Sequence, residues 1–229
     1  MRRTPSDVPA RPAALAPRRR FLRASAGLGS LAALGVLPRL AGAQSGDGYL
    51  TLDVPVSTRD RDRVEVLEFF WFGCPHCYAF EPAINDWAAS RPEYVDFVRE
   101  APPLNPSWES HSRAFYAAET LGVTDGMFDE MFDRIHRERE PLRRPAAIAS
   151  FVEDLDLGVD AETFEKTMGS FAVETALRRS VMLARDAGVT GVPSILINGK
   201  YMTGNSLAGG HAGVIAVIER LTAEEHAAS

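Results

Sequence analysis

The only two cysteines of this 229-residue chain are Cys74 and Cys77, directly behind the apolar run Phe69-Phe70-Trp71-Phe72 and the glycine Gly73. Val64 to Phe72 is rich in β-branched and aromatic residues and apolar on both parities except at Glu65 and Glu68. Such a run predicts a strand buried on both faces and central in its sheet. Beyond Gly73, the residues Cys77, Phe80, Ile84 and Trp87 recur at helical spacing. The chain therefore turns from strand to helix at the cysteines, with Cys74 at the helix N-terminus and Cys77 one turn in, on the buried stripe. Pro82 lacks the amide hydrogen of an interior helical residue and is expected to kink this helix.

The rest of the chain arranges itself around that turn. Tyr49 to Val56 reads as a loosely alternating strand, and Tyr94 to Arg99 as another, followed by the proline-rich exit Ala101 to Pro106. From about Ser107 to Gly188 the pattern is helical, with breaks at Gly122, Pro141, Gly158 and Gly169 to Ser170. Met127, Phe128, Met131, Phe132 and Ile135 form one apolar stripe, and Ile148, Phe151, Val152 and Leu155 another, as expected of the core of a helical subdomain. Val192 to Ile197, a turn at Asn198-Gly199, and Lys200 to Thr203 predict a hairpin, and Val214, Ile215, Ile218 and Leu221 an amphipathic C-terminal helix. The predicted fold class is α/β, a small sheet domain interrupted by an all-helical insertion.

Residues 1 to 43 hold eight arginines against one acid, Asp7. Arg18-Arg19-Arg20-Phe21-Leu22-Arg23 precedes an Ala/Gly/Leu-rich run, and Ala41-Gly42-Ala43 has the small residues of an export cleavage site, which places the mature start near Gln44. The arginine cluster resembles a twin-arginine export signal, and an ordinary secretory signal rich in arginine fits the same three-part layout. Either reading puts the protein outside the cytoplasm. Taking eight arginines and one acid from 25 basic and 31 acidic residues leaves 17 and 30, a net charge of −13 over about 186 residues. That balance excludes a nucleic-acid surface, and the length suffices for one sizeable core.

Cys74-Pro75-His76-Cys77 closes too small a loop for a bridge that stabilises by constraining the unfolded chain, whereas its spacing suits redox exchange. The thiolate is the nucleophile in such exchange, and an ordinary cysteine is mostly protonated at neutral pH. The orphan amides and dipole of a helix N-terminus stabilise an anion by about 0.3 to 1 kcal/mol, up to about 2, which corresponds to roughly one pKa unit. Hydrogen bonds from amides and the neighbouring thiol, together with His76, are candidates for any larger shift. A more acidic Cys74 is also the better leaving group, which makes the pair an oxidant. Two alternatives remain: half of a zinc site, for which His111, His136, His211 and His226 lack ligand spacing, and a purely structural disulfide.

Glu68 shares parity with Val66 and Phe70, so a central strand buries its carboxylate, raises its pKa and makes it a candidate proton acceptor and donor for Cys77. A glutamate at the edge of the core, reaching water, is the simpler alternative. Val192-Pro193 heads a predicted strand, where proline is tolerated, and a cis bond is suggested there.

Glu68-Phe69-Phe70, Cys74-Pro75-His76-Cys77-Tyr78, Gly191-Val192-Pro193 and Asn198-Gly199-Lys200-Tyr201 together resemble the DsbA-type periplasmic thiol:disulfide oxidases over essentially the whole mature chain. The resemblance implies a thioredoxin fold with an inserted all-helical subdomain: an export signal at 1–43, the first part of the fold at 44–106, the insertion at 107–188 and the second part at 189–229. It implies Cys74 as an exposed nucleophile, Cys77 as its buried partner, Pro75 and His76 as the dipeptide that tunes the potential, and Glu68 as the buried acid. It also implies that Val192, before a cis Pro193, offers backbone to substrate. Trp71 and Gly73 stand where many relatives carry other residues, so the rim of the site is expected to differ. The implied activity is oxidation of reduced, largely unfolded secreted proteins by a periplasmic monomer. Reoxidation would come from a DsbB-like quinone-linked membrane oxidase, with no metal, nucleotide or flavin cofactor. Rival readings are a disulfide isomerase or reductase, for which the few residues between Gln44 and the first strand leave no dimerisation domain, and a chaperone-like binding protein.

Overall fold

A computed structural model describes residues 46–229; the expected export signal and its cleavage site lie outside these residues. The chain runs through β1 (Tyr49–Thr51), β2 (Val64–Phe69), α1 (Pro75–Ser90) and β3 (Val95–Glu100). Five longer helices follow: α2 (Glu109–Leu121), α3 (Thr124–His136), α4 (Pro145–Asp154), α5 (Ala161–Met168) and α6 (Phe171–Asp186). It closes with β4 (Ser194–Ile197), β5 (Tyr201–Thr203), the short α7 (Asn205–Ala208) and α8 (His211–Ala227).

The five strands form one sheet in the order β1-β5-β4-β2-β3. β2 runs parallel to β3, with Glu68 opposite Arg99, and antiparallel to β4, with Glu68 opposite Ile195. Every β2 residue is buried, as its two-sided apolar pattern predicts. Its parity divides the core: Val64 and Val66 pack with Phe80, Ile84 and Trp87 of α1 and Val214, Ile218 and Leu221 of α8. Leu67 and Phe69 face the other way, onto Ala184 and Ala187 at the end of α6. The hairpin from β4 to β5 turns at Asn198 and Gly199, both left-handed with φ of 48° and 65°, the pattern of a type I′ turn. A Cβ on Gly199 would lie 1.9 Å from the Val56 carbonyl oxygen, so the turn requires glycine.

Helices α2 to α5 and the first half of α6 enclose a second core, to which the Met127, Phe128, Met131 and Phe132 stripe contributes as expected. The breaks fall where the sequence places them: Gly122 ends α2 at φ 71°, and Ser170 caps α6 through the Val173 amide at 3.3 Å. Two expectations need correction. β1 stops at Thr51 rather than Val56, since the chain beyond it is tied to the β4–β5 turn through Val56 N–H to Gly199 O at 2.8 Å. β2 stops at Phe69 rather than Phe72, because Phe70 and Phe72 leave the sheet for the helical core. The Phe70 ring lies 5.1 Å from those of Phe72 and Phe115 and 5.0 Å from that of Phe128. That excursion joins the two cores and leaves Cys74 and Cys77 at the seam. Helix α1 then continues through Pro82 to Ser90.

Candidate active site

Cys74 occupies the position that caps α1, with extended backbone (φ −88°, ψ 116°) and no side-chain cap, so its sulfur stands before the helix's free amides. Pro75 at the first helical position has no N–H, and the donors that reach the sulfur are the amides of His76 and Cys77. The Cys77 thiol contributes most to stabilising the Cys74 thiolate, burial opposes it, and the two amides and a charge on His76 add to it. Together they lower the Cys74 pKa to about 6. Cys77 shifts the other way: burial first, then its bond to Cys74 and the charge there, push its thiol far above the ordinary range. Both cysteines are free thiols in this structure. The expectation of an exposed Cys74 needs correction, for it is 7% exposed against 0% for Cys77. Phe70 and Phe72 draw the turn into the helical core, and both cysteines pack in it.

The Cys74 thiol also lies 3.5 Å from the Val192 carbonyl oxygen, to which it donates, and the Val192–Pro193 bond is cis. Residues 118 apart in sequence thus meet across the seam. From there an open groove of about 510 Å³ runs past His76, Gly191, Val192, Pro193, Met202 and Leu207. The Trp71 indole, three residues before Cys74, stacks on Trp108, with centroids 4.4 Å apart and planes at 5°. A Cβ on Gly73 would come within 2.3 Å of the Trp71 ring, so glycine leaves the room that this ring occupies.

Glu68 is fully buried, which raises its pKa, and Arg99 opposes the rise. One carboxylate oxygen accepts from Arg99 Nε at 2.9 Å and the other has no partner. The same guanidinium donates to Glu81 at 2.9 Å and Asn85 at 2.7 Å and lies over the Phe128 ring at 4.3 Å. Burial, then the charge on Glu68, raises the Glu81 pKa to about 8. One arginine therefore serves two buried carboxyls, and a charge on Glu68 is felt by Cys77. Sequence reasoning located Glu68 and missed Arg99 and Glu81. Signals existed for both: Glu81 stands one helical turn after Cys77, and Arg99 stands in the strand that follows α1.

Among the described residues no group of three or more His, Cys, Asp or Glu could hold a metal ion, and no helix is long and apolar enough to cross a membrane. A paired dithiol at a strand-to-helix turn, one thiol acidified and the other suppressed, beside a cis-proline loop on this sheet, defines a thiol:disulfide oxidoreductase of the thioredoxin fold. The chain belongs to the DSBA-like thioredoxin domain family, whose match spans residues 65–208. It is 37% identical over 185 residues to the thiol:disulfide interchange protein DsbA of Pseudomonas aeruginosa, covering 81% of this chain and 87% of that one. The DsbA of Azotobacter vinelandii is 36% identical over 183 residues, with 80% and 85% covered. The crystal structure of Pseudomonas aeruginosa DsbA superposes with a TM-score of 0.74 at 38% identity, over 80% of this chain and 94% of that one. Oxidoreductase DsbA from Xylella fastidiosa gives 0.73 at 26%, over 79% and 96%.

Proposed function

We propose that the protein is an exported, periplasmic dithiol oxidase that transfers its Cys74–Cys77 disulfide to reduced, largely unfolded secreted proteins. The acidified Cys74 sulfur beside the Val192 carbonyl carries this reading. A substrate thiolate attacks Cys74 of the disulfide, a mixed disulfide forms, and Cys77 leaves as a thiolate that takes up a proton. Glu68 is the proton donor at that step and its acceptor in reverse, in keeping with a carboxyl whose burial favours the protonated form. A second substrate thiolate then attacks the substrate sulfur of the mixed disulfide, and Cys74 leaves. The substrate loses two electrons and the protein gains them. The low Cys74 pKa favours this last departure, because a more acidic thiol leaves faster and its reduced form is held more stably.

Pro75 and His76 set the potential: proline removes one amide from the helix end and His76 supplies an amide and a charge. Substrate backbone pairs in extended form beside Val192 and Pro193, and the groove adds weak, sequence-tolerant affinity. Electrons then pass from the reduced pair to a DsbB-like quinone-linked membrane oxidase, and the protein acts as a monomer. Two measurements test the reading. Cys74→Ser is expected to abolish oxidation of a reduced dithiol peptide, and turnover at the wild-type rate would sink the nucleophile assignment. Equilibration against glutathione is expected to show an oxidising pair, and a potential as reducing as that of thioredoxin, about −270 mV, would remove the oxidase direction.

A further inference from the structure

The carbonyl of Phe72 lies beyond the end of β2 and before the start of α1, and Phe72 is fully buried. No backbone amide among the described residues donates to it. A buried carbonyl needs a donor, and this one finds it 64 residues away, in His136 Nε2 at 2.7 Å. Since a carbonyl can only accept, the imidazole carries its proton on Nε2. The ring is held flat against Tyr78, with centroids 4.8 Å apart and planes at 12°, and Phe132 lies 6.0 Å away on the same helix. Tyr78 follows Cys77 directly, and its hydroxyl donates to Asp133 at 2.8 Å. Asp133 is in turn paired with Arg137 at 3.0 Å.

His136 and Asp133 stand on one face of α3, and between them they hold the residue two places before Cys74 and the residue after Cys77. We propose that His136 is a positioning residue for the redox turn and that, with Asp133, it clamps both flanks of the Cys74–Cys77 pair from the helical insertion. The segment it fixes also supports the sulfurs: the Cys74 amide donates to Trp71 O at 2.9 Å, and the Trp71 backbone favours the Cys77 thiolate. Loss of the clamp lets that segment drift, so the effect reaches the sulfur chemistry as well as the packing. This deepens the oxidase reading and rests on its assignment of Cys74 as the nucleophile.

The test uses His136→Phe, which keeps a flat ring on Tyr78 but has no donor, and His136→Gln, whose amide restores a donor near the Nε2 position. One hydrogen bond is worth a factor of roughly 2 to 13 in an equilibrium, so His136→Phe is expected to shift the glutathione equilibrium constant and the peptide oxidation rate by about fivefold. His136→Gln is expected to restore both. Tyr78→Phe keeps the stack, loses the bond to Asp133 and should move both quantities in the same direction by less. The Cys74 thiolate absorbance is titrated on every variant. If His136→Phe lowers the melting temperature yet leaves the equilibrium constant and the titration midpoint at wild-type values, the tie is structural and the proposal falls. Equal behaviour of His136→Gln and His136→Phe would also overturn it, and an unmoved Tyr78→Phe would remove the Asp133 limb. Should His136→Phe not fold, the other two variants carry the same readouts. Wild-type protein separates the two levels: if its own Cys74 titrates as a free cysteine, the oxidase reading fails first.

Discussion

Two glutamates sit fully buried on neighbouring strands, and their surroundings differ in one respect. Glu100, at the end of β3, is saturated: it accepts from Tyr116 at 2.6 Å, from Arg179 at 3.1 Å and from Arg59. Glu68, in β2, has one oxygen on an arginine shared with Glu81 and Asn85, and its other oxygen has no partner. Saturation ties together the loop before β2, the end of β3, α2 and α6. At Glu68 burial outweighs the single arginine and raises the carboxyl's pKa, and its charge is felt by Cys77. Equal burial thus accompanies two roles, and the number of donors separates them.

Substitution should drive the pair further apart. Removing one member of a buried, hydrogen-bonded ion cluster is strongly destabilising, so Glu100→Ala is expected to cost about 3 kcal/mol in urea unfolding, the lower end of the range because its arginines keep contact with water. The oxidation rate of the protein that remains folded should be unchanged. Glu68→Gln is expected to do the reverse, slowing peptide oxidation by about a hundredfold, or about 2.7 kcal/mol, with no loss of stability. Stability cannot fall much, since the change removes a charge that burial disfavours and keeps an acceptor for Arg99. If Glu68→Gln unfolds the protein while turning over normally, Glu68 is cement like Glu100 and the proton-transfer role is lost.

The half of the site that lies within one stretch of chain is legible in the sequence. Cys74 and Cys77 announce their chemistry by spacing, and Glu68 by being a charge in a strand otherwise apolar on both parities. Asn198-Gly199 forms the turn it predicts. The cis Val192–Pro193 loop beside Cys74 is reached through the family resemblance; what the residues alone do not give is register and the side-chain contacts that depend on it. Arg99 meets Glu68 because β2 and β3 pair in parallel with one particular offset, and a strand sequence does not state its offset. His136 looks like one of several scattered histidines until α3 packs on the turn. The early end of β2 has the same origin: Phe70 and Phe72 suit a strand by propensity, but the aromatic core of the insertion offers them better burial.

The contrast between Cys74 and the carboxyl pair also has a sign that pH can read. Cys74 is depressed from 9.0 to about 6 in the folded, reduced protein, so its stabilisation is complete above about pH 9 and is lost as pH falls through about 6. Near neutral pH about one unit of that shift is realised, which favours the reduced protein by about 1.4 kcal/mol, or about 30 mV of oxidising power. Glu81 is raised from 4.5 to about 8, so its contribution runs the opposite way, complete below about pH 4.5 and lost as pH rises through 8. The carboxyl term is present whether or not the cysteines are bridged, while the Cys74 term exists only in the reduced protein. The difference in unfolding free energy between the two redox forms therefore isolates the thiolate. Measured against urea, that difference is expected to move in favour of the reduced form by about 1.4 kcal/mol between about pH 5 and 7. A difference that stays flat over this window, with thiolate absorbance rising only near the free-cysteine value, would mean that the helix end and the Cys77 thiol do not acidify Cys74.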